Sequence, residues 1–338
     1  GYSEVGKNMT ALDIDGEIII LDMGLYIPAI CAFEEEQEYL TDDDMLKIKA
    51  IPDDTILSEK KDNVIGVIIG HAHLDHIGAL PYLIRKYRNA PIVGTPFTIH
   101  FLERLLKDKA RKAHNKRIML KNGEKIKLSE NVEIEFTNIT HSTLDCAMVI
   151  VHTKYGQIVY TLDFKLDNHP VIGEKPNYSR LRSLNNVRAL ILDSLYAKEE
   201  VKTPSEKVAR EMLKDVLLGT NNKGKAIIIT TFSSHLARLK SIIDIGKRLN
   251  RRMVFLGRSL NKYILAGEDA KLIKFSNKVE IVAYRSKIRN KLKQIMNEGK
   301  DKYLIVCTGN QAEPGSVLDK MVNGVFDFKF SYEDHVIF

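Results

Sequence analysis

The chain has 338 residues, 44% of them hydrophobic, and a net charge of +7, which is length and apolar content enough for two cores of ordinary domain size. Its candidate apolar runs, Glu17–Leu21 and Val64–Ile69, are strand-sized and fall far short of the roughly 20 residues of a membrane span; no signal peptide is visible, so a folded cytoplasmic protein with no membrane partner is expected. Three widely spaced cysteines, Cys31, Cys146 and Cys307, argue against a disulfide framework or a cysteine-ligated zinc site.

Taken from the start, the chain opens at Gly1 without a methionine, so either its start was processed or a longer polypeptide precedes it. The first 200 residues read as short Ile/Val-rich strands. After Glu17–Leu21 comes an acidic stretch, Phe33–Met45, with Glu34, Glu35, Glu36, Glu38, Asp42, Asp43 and Asp44, expected to be a solvated loop or helix face. Val64–Ile69 is the next buried strand, and helices are expected at Ile77–Tyr87 and near Thr98–Lys112. Alternation in Lys125–Leu128, Val132–Phe136, Met148–His152 and Ile158–Leu162 predicts antiparallel hairpins with one covered face, hence sheet packed on sheet with helices outside.

From about residue 200 the rhythm changes to strand-helix alternation, the pattern of a parallel α/β unit: Ala226–Phe232, a helix from His235 to Leu249, Met253–Leu256, Val279–Ala283, a basic helix around Arg285–Lys293, and Tyr303–Cys307. Thr203, Pro204 and Glu206 form the expected cap of a boundary helix carrying Val208, Met212 and Val216 and stopping at Gly219. Charge divides at the same place. Residues 1–200 hold 25 basic and 30 acidic side chains, and residues 201–338 hold 26 and 14. The second half should attract polyanions, although a solvated lysine-rich surface would give the same count.

The densest chemical signal is His71-Ala72-His73-Leu74-Asp75-His76, between an apolar strand and a helix. Four potential ligands in six residues on one strand-to-helix turn can converge on a centre, and imidazole with carboxylate oxygen suits Zn²⁺. Packing alone would not place four such groups there. His141, after a strand, and Asp163, closing another, would each be ordinary alone, a surface histidine and a turn former; their order after the His-rich turn makes them ligand candidates.

Asp22 in Leu21-Asp22-Met23-Gly24, the His71–His76 motif, His141 and Asp163-Phe164-Lys165 together resemble the first four motifs of the metallo-β-lactamase superfamily. The resemblance implies an αββα sandwich holding two Zn²⁺: one on His71, His73 and His141, the other on Asp75 and His76, with Asp163 bridging and Asp22 bracing the turn from behind. In the second half, Asp193-Ser194, Thr231-Phe232-Ser233-Ser234-His235, Gly257-Arg258-Ser259 and Thr308-Gly309-Asn310-Gln311-Ala312-Glu313-Pro314 resemble the β-CASP domain of RNase J enzymes, most closely the compact archaeal type. The fold class expected is therefore α/β, a metallo-β-lactamase sandwich (1–200) with an inserted β-CASP α/β domain (201–332). Leu162 stands where a glycine usually precedes the bridging Asp, and Asn310 and Ala312 stand where Ser and Gly are usual; Leu162 is expected to crowd the metal turn.

The function implied is zinc-dependent hydrolysis of RNA phosphodiester bonds, 5′-to-3′ from a 5′-monophosphate end of single-stranded RNA. A zinc pair acidifies water and clamps phosphate oxygens. Asp75 would accept a proton and Asp193 would serve the leaving oxygen, while Ser233, Ser234, His235, Arg258 and Ser259 would bind phosphate. Ordinary helix capping by Ser233 or Ser234 is the competing reading. Three rival functions remain at this level: a cleavage-and-polyadenylation-type endonuclease, a small-molecule metallo-hydrolase, and a non-catalytic RNA-binding module. The run His335-Val336-Ile337-Phe338 is expected to begin a strand returning to the first domain (333–338) in a truncated chain, with the family's last zinc-binding histidine and β-CASP histidine lying beyond Phe338 and a homodimer forming in the full-length protein.

Overall fold

The computed structural model describes residues 4–31, 40–311 and 313–338. The chain divides into two compact units, one of residues 1–166 with 174–202 and the other of 167–173 with 203–338. The first unit ends at Lys202 and the second resumes at Thr203, with Asp167–Gly173 belonging to the second.

Two five-stranded sheets build the first unit. One contains β1 (Thr10–Ile14), β2 (Glu17–Leu21), β3 (Val64–Ile69), β4 (Ile92–Gly94) and β5 (Arg117–Met119) in sequence order, with β1–β2 antiparallel and the rest parallel. The other contains β6 (Lys125–Lys127), β7 (Glu133–Asn138), β8 (Ala147–Thr153), β9 (Gly156–Tyr160) and β10 (Val187–Ile191), in the order β10-β9-β8-β7-β6. Ile19, Leu21, Ile68 and Val93 from the first sheet meet Ile134, Phe136, Val149, Val151, Tyr160 and Leu162 from the second in one buried cluster. Each such fully buried aliphatic side chain contributes about 1.5–3 kcal/mol. β3 is buried along nearly its whole length because its second face is covered too, which is why it reads as a continuous apolar run.

Helices depart from expectation in two places. The run after His76 is three short pieces, Leu74–Ile77, Leu80–Leu83 and a 3-10 turn at Ile84–Lys86, broken where Gly78 passes so close to Leu74 that a Cβ would lie 2.4 Å from its carbonyl oxygen. Pro96–Asp108 is continuous, capped by Thr95. Within the acidic stretch, Thr41 and Asp44 cap a short helix, Asp42–Lys47, in reciprocal fashion; residues 33–39 lie outside the described residues.

The second unit is one parallel sheet of β11 (Ile227–Thr230), β12 (Arg252–Leu256), β13 (Glu280–Val282), β14 (Tyr303–Cys307) and β15 (His335–Ile337), in the order β13-β12-β14-β11-β15. The terminal run is a strand, and its pairing is with β11 in this sheet, so residues 333–338 lie in the second unit. The boundary helix begins at Glu206, two residues later than expected, with Ser205 rather than Thr203 as its cap. Asp167 causes the shift: its Oδ1 accepts from the Ser205 hydroxyl at 2.6 Å and its Oδ2 from the Glu206 amide at 2.7 Å. Glu206 closes no capping box and instead accepts from Arg238 at 2.6 and 3.0 Å. Val208, Met212 and Val216 lie on this helix as expected and are exposed, and the buried face holds Leu213 and Leu217.

Candidate metal centre

β3 ends at Ile69, and Gly70 then carries the backbone so close to the second sheet that a Cβ there would lie 2.6 Å from the Ala147 carbonyl and 2.0 Å from Leu162 Cδ1. His71 to His76 follow on the turn and the first helical residues. The extension of β2 holds that turn from behind, as Met23 N–H donates to the His76 carbonyl at 2.8 Å and Leu25 N–H to Leu74 at 2.9 Å. Gly24 is needed here because a Cβ would sit 1.6 Å from the Asp75 oxygen.

The structure brings all six expected ligands together. His71, His73, His141 and Asp163 form one group, and Asp75, His76 and Asp163 another, each with its ligand atoms within 4.8 Å of one another. Asp163 belongs to both. Its Oδ1 lies 3.3 Å from His76 Nε2 and its Oδ2 3.7 Å from His141 Nε2. His71 is wholly buried, yet neither of its ring nitrogens has a hydrogen-bond partner. A neutral imidazole buried with both nitrogens unsatisfied is costly, and a metal ion at one of them is the partner this donor set accepts. The residues therefore fit a metal.

Electrostatics agree at two of the histidines. Burial, reinforced by the charges of His76, His73 and His141, pushes the His71 pKa well below the usual histidine value, and burial with His73 brings His141 down to about 3. Both imidazoles are thus unprotonated at neutral pH, as ligands must be. His76 goes the other way: burial opposes its charge, but Asp22, Asp163 and Asp75 around it raise its pKa well above the usual value. Burial likewise opposes ionisation of Asp75, and the hydrogen bond and charge of His76 overcome it, holding the carboxyl at about 2.

Asp22 stands where expected, its Oδ2 2.6 Å from His76 Nδ1, which fixes the ring so that Nε2 faces Asp75 and Asp163. Two partners of this arrangement have no signal in the sequence. The buried Tyr160 hydroxyl donates to the same Asp22 oxygen at 2.7 Å, although its alternation with Ile158 marks it as plain core. Asn8 Nδ2 donates to the Asp75 carbonyl at 3.1 Å and lies 3.2 Å from His76 Nε2. Asp193 lines a cavity of about 340 Å³ with Asn8, Asp75, His76, Tyr160 and Asp163. Leu162, at φ +56°, takes the left-handed conformation; its side chain joins the core between the sheets and packs against Gly70, at the start of the ligand turn.

The phosphate-binding candidates lie elsewhere, in the second unit. Ser233, Ser234 and His235 follow β11, and Arg258 and Ser259 follow β12, at the carboxyl ends of parallel strands where α/β sheets bind ligands. Arg258 and Ser259 are exposed, Ser233 and His235 half-buried, and Ser234 buried. His235 also caps the helix Leu236–Gly246 and lies 3.3 Å from Glu206. Ala312 lies outside the described residues.

This sandwich with its His/Asp cluster defines a hydrolase of the metallo-β-lactamase superfamily, whose family model matches residues 3–187, while the model for the ribonuclease J β-CASP domain matches residues 224–338. Ribonuclease J of Methanocaldococcus jannaschii is 43% identical over all of this chain and 76% of its own length, and that of Pyrococcus abyssi 38% identical over all of this chain and 75% of its own. Ribonuclease J 2 of Staphylococcus saprophyticus is 30% identical over 95% of this chain and 53% of its own length. A crystal structure of a protein of unknown function from Enterococcus faecalis, 16% identical, has the same fold at a TM-score of 0.52, covering 90% of this chain and 86% of that one. The chain belongs to the ribonuclease J family and is a metal-dependent ribonuclease.

Proposed function

We propose that the chain binds two Zn²⁺ and degrades single-stranded RNA from a 5′-monophosphate end, in the cytoplasm, as a ribonuclease J of the compact archaeal type. The type rests on its higher identity to the Methanocaldococcus and Pyrococcus enzymes than to the Staphylococcus one. The observation that carries the two-metal reading is the pair of ligand groups sharing Asp163, with both nitrogens of buried His71 unsatisfied. His71, His73 and His141 would hold one ion, Asp75 and His76 the other, and Asp163 both.

Such a pair, when bound, supplies an acidified water and positive charge for phosphate oxygens. Asp22 orients His76 through Nδ1. Asp75, ionised far below neutral pH, is a poor proton acceptor and serves as ligand and charge. Asp193, on the wall of the same cavity, would serve the leaving oxygen. Ser233, Ser234, His235, Arg258 and Ser259 would hold the terminal phosphate, and the full-length enzyme would work as a homodimer.

Metal analysis of the purified chain, joined to cleavage of 5′-phosphorylated, 5′-hydroxyl and circular RNA of one sequence, tests this. Two zinc ions per chain and preference for the 5′-phosphate are expected. Equal cleavage of circular RNA would replace the exonuclease with an endonuclease of the cleavage-and-polyadenylation kind.

A further inference from the structure

The carboxyl edge of the second sheet carries more than the expected phosphate residues. In the order β13-β12-β14-β11, the turn bearing Arg258 and Ser259 sits directly beside the end of β13, and Gly257 N–H donates across to the Val282 carbonyl at 3.0 Å. Two residues past Val282 comes Tyr284, 60% exposed. It adds nothing to the core: the helix it precedes, Arg285–Glu298, is anchored by Ile288, Leu292 and Ile295. One cation stands over the ring and others follow on the helix. Lys287 Nζ lies 6.0 Å from the ring centroid, and Arg285, Lys287 and Arg289 are exposed. Among the described residues Arg285 makes no ion pair and Lys287 only this ring contact, whereas Lys291 on the same helix is bound to Glu280 at 2.6 Å.

An exposed aromatic ring beside unengaged cations, one strand from a turn suited to phosphate, is the surface single-stranded RNA needs: a face for a base and charge for the backbone. Adjacent strands are about 4.8 Å apart, so Tyr284 follows a strand end that neighbours the Arg258 turn. We infer that Tyr284 stacks on a base near the bound end of the RNA, with Arg285 and Lys287 on the flanking phosphates. The inference rests on the proposed binding of a 5′ end at the Arg258 turn.

Steady-state cleavage by the metal-loaded enzyme tests it, with 5′-phosphorylated oligoribonucleotides carrying a single abasic residue at each of the first four positions in turn. For the wild type, one abasic position should raise KM about tenfold with kcat little changed; Tyr284→Ala should raise KM on intact RNA by the same factor and be insensitive to that abasic position, while Tyr284→Phe behaves as wild type. Arg285→Gln and Lys287→Gln should each lower the salt slope of RNA binding by about one. A Tyr284→Ala enzyme with wild-type KM, or one that still feels that abasic position, overturns the stacking site alone. A wild type with no preference for the 5′-phosphate overturns the proposed end-binding and the stacking site with it.

Discussion

Among its described residues the first unit has two buried carboxylates that meet a histidine, and only one of them serves a metal centre. Glu135 meets His152 at 2.7 Å, and the same carboxylate takes Arg180 at 2.5 and 2.8 Å and Lys125 at 3.3 Å, so its charge is answered within the protein. Asp22 meets His76 at 2.6 Å, but its Oδ1 is buried without a partner, and His71 nearby has none for either nitrogen. A histidine on a carboxylate is therefore no mark of a site by itself. The mark is polar atoms left unanswered at the end of a strand.

The comparison can be broken at its strongest point first. Asp163→Ala should abolish cleavage and lower zinc content while far-ultraviolet circular dichroism stays as in wild type, because Asp163 is half-exposed and holds up no core; full turnover in a zinc-free Asp163→Ala protein would remove the centre from the chemistry. Tyr160→Phe probes the support of the centre: losing the hydroxyl on Asp22 should weaken zinc binding about 10- to 100-fold and alter the visible spectrum of the cobalt-substituted protein. An unchanged spectrum and affinity would make Tyr160 core only. Glu135→Gln sharpens the other side and should leave zinc binding untouched. Burial opposes the Glu135 charge, but Arg180 and His152 hold its pKa near 2 against an ordinary 4.5. A carboxyl lowered on folding stabilises above its unfolded value and loses that contribution as pH falls. Wild type should thus melt higher than Glu135→Gln at neutral pH, and the two curves should converge between about pH 4.5 and 2; a gap independent of pH would contradict the pairing.

The ligands are legible in the sequence because chemistry outweighs packing there: packing does not explain four potential ligands in His71–His76, and Tyr303–Cys307 is legible because a buried parallel strand is a bare apolar run. Periodicity failed where it carries no direction. Val208, Met212 and Val216 repeat every four residues as an inner face would, yet lie outside, since Leu213 and Leu217 form a second stripe on the same helix. The cap at Ser205 was hidden because its deciding partner, Asp167, is 38 residues away. Tyr160 and Asn8 act through contacts 138 and 67 residues distant, which no local pattern records.

Leu162 and Asp22, at φ +56° and +63°, place two left-handed residues at the ends of the strands that deliver the centre. For a leucine this backbone costs about 1–2 kcal/mol, less for an aspartate, and Asp22 adds a buried charge with one oxygen unsatisfied. Heat endurance and catalysis thus pull this aspartate in opposite directions. Asparagine tolerates the same backbone without the charge, so a lineage selected for durability alone would drift toward it there, and a relative carrying asparagine in place of Asp22, with a higher melting temperature, would be one in which the enzyme had become a scaffold.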